Sequence, residues 1–236
     1  MREVDLSKYQ VRTDLVADLI KEDYEFETKK QYKNITISNI TLTKEMEEEL
    51  ERKEGLYTTI SYNDITDKTN YKNLLDVLTQ ELKKVIEETG IKDDYSCMII
   101  GLGNEKSTAD ELGVTTAKKV TVTKHIYDLV GTLEEHFRVT TCLTPGVMGQ
   151  TGIETVEIIS SVVKQVKPDF IIAIDALASD SIDRLLKTIQ ITNTGINPGS
   201  GIGNNRKEIS NETLGIPVIA IGVPTVVEAS TIVNDT

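Results

Sequence analysis

The stretch DFIIAIDALAS, residues 169–179, is the most apolar strand signal in the chain. A strand that is apolar on both faces belongs where both faces are covered, as in the middle of a parallel sheet. Strand and helix signals alternate on either side of it. CMIIGLG (residues 97–103) is a short apolar run closed by glycine, and RVTTCLT (138–144), TIQIT (188–192) and PVIAIGV (217–223) complete the set. A helix is expected from about Thr108. A second helix carries Ile153, Val156, Ile159, Val163 and Val166 towards the core, and Thr151 and Glu154 have the spacing of a capping box at its start. Such alternation predicts an α/β fold, a mostly parallel sheet with helices on both faces.

The first ninety residues read differently. Residues 1–33 are polar and acidic, with a short helix expected around residues 14–22. NITISNITLT (34–43) alternates with the period of a half-exposed strand, and LYTTISY (56–62) is β-branched and aromatic. KEMEEELERKEG (44–55) reads as a turn or two of charged helix closed by Gly55. Together these predict a small antiparallel element beside the main sheet. From residue 71 to 90, Leu74, Leu75, Leu78, Leu82 and Ile86 mark an amphipathic helix.

Composition narrows the functional classes. With 236 residues, 39% hydrophobic and 27% charged, the chain is an ordinary soluble globular protein. No apolar run is long enough to span a bilayer, and MREVDLSKYQ lacks the apolar segment of a secretory signal. A net charge of −12 argues against nucleic-acid binding, because a phosphate backbone calls for a basic surface. Cys97 and Cys142 fit neither a metal spacing nor a disulfide framework and read as two buried free thiols in a reducing cytoplasm.

In an open α/β sheet, ligands bind beyond the carboxyl ends of the strands, so the informative residues follow the apolar runs. Asp175 directly follows the run of residues 170–174, at the expected mouth of a central strand, although an Asp there also suits a cap for a turn begun by residues 176–178. Asp110, in GLGNEKSTADELG, also suits the first turn of a helix capped by Ser107 or Thr108. The two loops share one predicted edge of the sheet. Two carboxylates that converge there push their pKa values apart, leaving one group to activate water and one to protonate a leaving amine.

Other motifs are weaker. GLGN (101–104) starts like a dinucleotide fingerprint, but Lys106 takes the third glycine position. GSGIGN (199–204) lacks the Gly-Lys-Ser or Gly-Lys-Thr of a phosphate loop, and Ser200 is not in G-x-S-x-G. His125 and His136 belong to no HExxH. A metal held by one of them with the two aspartates is an alternative to a metal-free pair.

Taken in order, VRTDL (11–15), GLGN with TADELG, PGVMGQTGIET (145–155), FIIAIDALAS, TIQITNTGINPGSGIGNNRKE (188–208) and GIPVIAIGVPTVVEA (215–229) resemble the germination protease family of endospore-forming bacteria, over nearly the whole chain. The resemblance implies a three-layer α/β/α sandwich similar to hydrogenase maturation proteases. It also implies an atypical aspartic endopeptidase that degrades small acid-soluble spore proteins in the cytoplasm of the forespore and spore core. It maps the family's two catalytic aspartates onto Asp110 and Asp175, calls for no cofactor, and implies a homotetramer. The family is made as a self-processing zymogen. Residues 1–14 are then the candidate propeptide, cut between Asp14 and Leu15, and residues 15–236 a single peptidase domain. Two departures stand out. Ala109 and Val114 replace family prolines around the first aspartate, which would loosen its loop, and the chain stops at STIVNDT where the family continues. The alternatives are a metal-dependent peptidase of the hydrogenase-maturation type, a non-catalytic truncated form that binds spore proteins, and a nucleotide-binding module.

Overall fold

A computed structural model describes residues 13–20, 26–200, 206–227 and 232. Residues 1–12 of the candidate propeptide, residues 21–22 of the expected first helix and residues 201–204 of GSGIGN lie outside the described residues. The strands are β1 (Glu27–Tyr32), β2 (Ile35–Leu42), β3 (Gly55–Ser61), β4 (Cys97–Gly101), β5 (Thr140–Leu143), β6 (Phe170–Ser179), β7 (Thr188–Thr192) and β8 (Val218–Val227). The helices are α1 (Val16–Leu19), α2 (Lys44–Leu50), α3 (Lys68–Glu88), α4 (Leu112–Ala117), α5 (Lys124–Val130), α6 (Met148–Thr151), α7 (Thr155–Val166) and α8 (Asn211–Leu214).

All eight strands join one sheet in the order β1-β2-β3-β7-β8-β6-β4-β5. The parallel core is β5, β4, β6 and β8. β7 is antiparallel to β8, and the expected N-terminal antiparallel element, β1 to β3, extends the sheet from there. TIQIT, read with the parallel strands, runs the other way for a chain-length reason. Only residues 180–187 link it to β6, whereas a parallel return needs a crossover of a dozen residues or more.

Helices cover both faces. On one, α3 is capped by Asp67, whose carboxylate accepts from the Thr69 and Asn70 N–H groups at 2.9 Å each. Its Leu74, Val77 and Val85 pack with Ile60, Ile99, Phe170, Ile172 and Ile191. Leu75 falls outside this stripe and is 50% exposed. On the other face, Val156, Ile159 and Val163 of α7 pack on Met98, Ile100, Ile171, Ala173 and Val218. Further along the same face, Val16 joins Ile40, Leu42 and Tyr57, with Met46 and Leu50 of α2 against them.

The capping box at Thr151 is not formed. Thr151 ends α6, Gly152 turns the chain at φ +71°, and α7 starts after Glu154, which makes no side-chain cap bond. Ile153 is left 48% exposed. Helix α2 likewise ends at Glu51 in the left-handed conformation, before Gly55, which opens β3 instead. Both cysteines are free, but only Cys97 is buried; Cys142 is partly exposed. Burial pushes the Cys97 thiol up to about 12. Among the described residues no helix is long and apolar enough to cross a membrane.

Candidate active site

The site begins where β4 stops. The last pair between β4 and β6 is Gly101 with Ile174, after which Leu102 N–H donates to the Ile174 carbonyl at 2.9 Å and the chain leaves the sheet. β6 continues beside β8 through Ser179. Asp175 therefore occupies the first position at which β6 has lost one neighbour. It lies within the strand, so residues 176–178 begin no turn or helix for it to cap.

Asp110 closes a 3₁₀ turn, Thr108–Asp110, directly before α4. Ser107 precedes the turn but makes no side-chain cap bond; its carbonyl accepts from the Asp110 N–H at 2.8 Å. Asn104 N–H donates to the Asp110 carbonyl at 2.9 Å. Gly103, at φ +102°, is required here, because a Cβ would stand 2.0 Å from the Asp110 carbonyl oxygen and 3.0 Å from its carboxylate. The glycines of GLGN thus accommodate an aspartate loop. Ala109, expected to loosen that loop, has its carbonyl held by Thr225 Oγ1 of β8 at 2.6 Å, and Val114 is buried.

The two aspartates meet. Both line one cavity of about 330 Å³, shared with Asp14, Met148, Arg206 and Thr225. Asp175 is only 5% exposed. Burial first, and then the negative charge of Asp110, push its carboxyl well above the usual carboxylate value, with Asp14 adding in the same sense; the N–H of Ala176, 2.9 Å from Asp175 Oδ1, opposes them. Asp110 is half-buried, and that burial raises its carboxyl too, opposed by the Asn104 N–H. Two carboxyls raised in one cavity cannot both ionise easily.

A family described as "Germination protease" matches residues 8–236. Germination proteases of Bacillus pumilus, Priestia megaterium and Bacillus cereus are 43%, 45% and 44% identical to the chain, across 99–100% of it and 67–68% of their own length. The chain belongs to the germination protease family.

In this germination protease, sequence reasoning placed Asp14 only at a propeptide cut, set Ser200 aside and did not single out Gln190. Asp14 lies against β6: its N–H donates to the Ala178 carbonyl at 2.9 Å, and its carboxylate accepts from the Ala178 N–H at 2.9 Å and from Ser200 Oγ at 2.6 Å. Ser200 is thus a hydrogen-bond donor to a carboxylate. Gln190 is buried in the middle of β7, and its carboxamide bonds the main chain of residues 14 and 16. A polar residue in the centre of an otherwise β-branched strand was the available signal. His125 and His136 are exposed and line no part of the cavity. Among the described residues no group of three or more His, Cys, Asp or Glu is placed to hold a metal ion, so the alternative site of one histidine with both aspartates is not assembled.

Proposed function

We propose that the chain is an endopeptidase that degrades small acid-soluble spore proteins during germination, with Asp110 and Asp175 as its catalytic pair. The observation that carries this reading is the burial of Asp175 in one cavity with the like charge of Asp110. Asp175, the more deeply buried, holds the proton of the pair. Asp110, half-buried, is the carboxylate that removes a proton from water as the water oxygen attacks the scissile carbonyl carbon. The Asp175 proton passes to the leaving amine as the C–N bond breaks, and the proton taken by Asp110 is returned to solvent or to Asp175 for the next turnover. Because the two groups are coupled, apparent pKa values belong to the pair.

The chain is made as a zymogen that removes residues 1–14, leaving residues 15–236 as one peptidase domain. Supporting this, Asp14 reaches into the same cavity and is hydrogen-bonded to β6 three residues beyond Asp175. It works without a cofactor, as a homotetramer, in the cytoplasm of the forespore and spore core. Exposed apolar side chains on α5 and at Phe137 suit such an assembly.

The test is incubation of the chain trimmed to begin at Leu15 with a small acid-soluble spore protein, followed by intact-mass analysis, with and without chelator and with Asp110→Asn and Asp175→Asn in parallel. Specific cleavage that survives chelator and is lost in both variants is expected. Cleavage abolished by chelator contradicts the metal-free pair, and binding without cleavage by the unaltered chain contradicts an enzyme.

A further inference from the structure

We propose that Gln190 is the residue that grips the peptide bond to be cut, its carboxamide holding the carbonyl oxygen of that bond across the sheet from Asp175. This rests on reading Asp14–Leu15 as the self-cleavage site.

The geometry starts from register. Asp175 of β6 pairs with Gly222 of β8, and Gly222 pairs with Gln190 of β7. Residues paired across neighbouring strands share a face, so the Asp175 and Gln190 side chains rise from the same face two strand spacings apart, about 9.6 Å. Gly222 puts no side chain of its own between them; the Leu177 side chain of β6 lies over it. A Cβ there would stand 2.4 Å from the Leu177 side chain, so the row has room for none. Asp14, Gly222 and Gln190 line one small cavity of about 100 Å³, and Asp14 also lines the larger cavity with Asp110 and Asp175. Residue 14 therefore bridges the space between the carboxylate pair and the carboxamide.

Gln190 is 6% exposed, and a carboxamide buried that deeply needs partners for both its ends. It finds them in a single tripeptide, residues 14–16. The Val16 N–H donates to Gln190 Oε1 at 2.9 Å, and Gln190 Nε2 donates to the Asp14 carbonyl oxygen at 3.3 Å. That oxygen belongs to the Asp14–Leu15 peptide bond. The neighbouring carbonyl, of Thr13, accepts from Arg52. Both bonds of Gln190 go to main-chain atoms, so the grip is indifferent to side chains and serves any peptide laid along the same line.

When water attacks the Asp14 carbonyl carbon, negative charge develops on the oxygen that Nε2–H faces. A fixed donor at that position typically contributes 10²–10³-fold in rate. Oε1, by holding the Val16 N–H, keeps the leaving-group side of the bond from swinging away. Water attack with Asp110 and Asp175 on one side, and a neutral donor on the carbonyl oxygen from the other, divides the chemistry between the two ends of the row.

The test follows self-cleavage of the full chain by intact mass, as a first-order rate, for the unaltered protein, Gln190→Glu, Gln190→Met and Asp175→Asn. Melting temperatures are taken on each. Gln190→Glu keeps the acceptor for Val16 and loses the donor to the carbonyl; Gln190→Met loses both. Release at Asp14–Leu15 is expected to slow by about 10²-fold in both Gln190 variants and to stop in Asp175→Asn. Cleavage by the Gln190 variants within threefold of the unaltered rate, with Asp175→Asn inert, overturns the grip alone. An unaltered chain that leaves Asp14–Leu15 whole, or an active Asp175→Asn, overturns the underlying reading and the grip with it. Should the substitutions lower the melting temperature by more than a few degrees, the processed unaltered enzyme is given a peptide of residues 10–20 and the same peptide N-methylated at Val16. The methylated peptide is expected to lose at least tenfold, more in kcat than in KM; equal cleavage of the two overturns the proposal.

Discussion

Thr225 Oγ1 donates to the carbonyl of Ala109 at 2.6 Å, tying β8 to the turn that ends in Asp110. The bond stands in for the stiffness that a proline at position 109 would supply. Thr225→Val removes the hydroxyl at nearly constant volume. The expected cost is about 1 kcal/mol of stability and a several-fold fall in cleavage rate, because the turn ending in Asp110 loses its bond to β8. Unchanged cleavage in the variant would show that the turn holds Asp110 without β8.

Asp175 also sets a pH dependence of stability. Its carboxyl is raised in the folded chain, by burial first and by Asp110 second, so its favourable contribution is complete below the ordinary carboxylate value and is lost as pH rises through the raised one. At neutral pH the folded chain bears the cost of keeping that carboxyl protonated, which Asn does not carry. Asp175→Asn is therefore expected to melt higher than the unaltered chain at pH 7, by about 2–4 °C for each kcal/mol relieved, with the gap closing as pH approaches 4. A variant that melts lower at pH 7 and gains nothing relative to pH 4 would count against a raised carboxyl.

A second carboxylate behaves similarly at the end of β6. Burial, then the charge of Asp18 and a hydrogen bond with it, raise Asp180 from 3.8 to about 7. Arg184, whose Nε lies 2.6 Å from Asp18 Oδ1, opposes the shift. The stability held by protonated Asp180 is lost as pH climbs from 3.8 through about 7. Thermal melts of Asp180→Asn should exceed those of the unaltered chain at pH 8 and converge with them only as pH falls to 3.8. Parallel curves over that range would place the Asp180 titration elsewhere.

The proposed tetramer is tested at α5. Leu129 is 85% and Val130 68% exposed, with Ile126, Tyr127 and Phe137 also open. Leu129→Asp with Val130→Asp should reduce the sedimenting mass from that of a tetramer, while the melting of the subunit changes by less than roughly 0.5 kcal/mol, since neither side chain packs internally. An unaltered mass would direct the assembly to another face.

The sequence discloses the fold to the extent that burial writes itself into composition. The run FIIAI in β6 and Leu74, Leu78, Leu82 and Ile86 of α3 pack into the core as their apolar pattern demands, although Val77 and Val85, outside that pattern, are more deeply buried. Strand direction is not written that way. TIQIT has the same pattern in either sense, and only the short link from Ser179 reverses it. The spacing of Thr151 and Glu154 misleads because Gly152, at φ +71°, separates two helices that the pattern reads as one. For the site, Asp175 is legible because an acid follows an apolar run. Its meeting with Asp110 is not, since it depends on β4 ending at Gly101 while β6 goes on. Gln190 is invisible for a similar reason. Its place opposite Asp175 exists only once the register across Gly222 is set.

The claim on which the account turns is that Asp110 and Asp175 form one coupled pair. It is tested most directly by following aspartate carboxyl ¹³C shifts with pH in the full chain, with Asp175 assigned by its loss in Asp175→Asn, and repeating the titration in Asp110→Asn. In a shared site Asp175 titrates well above 3.8, and removing the Asp110 charge moves its midpoint down. An Asp175 midpoint unmoved by Asp110→Asn would contradict the shared site.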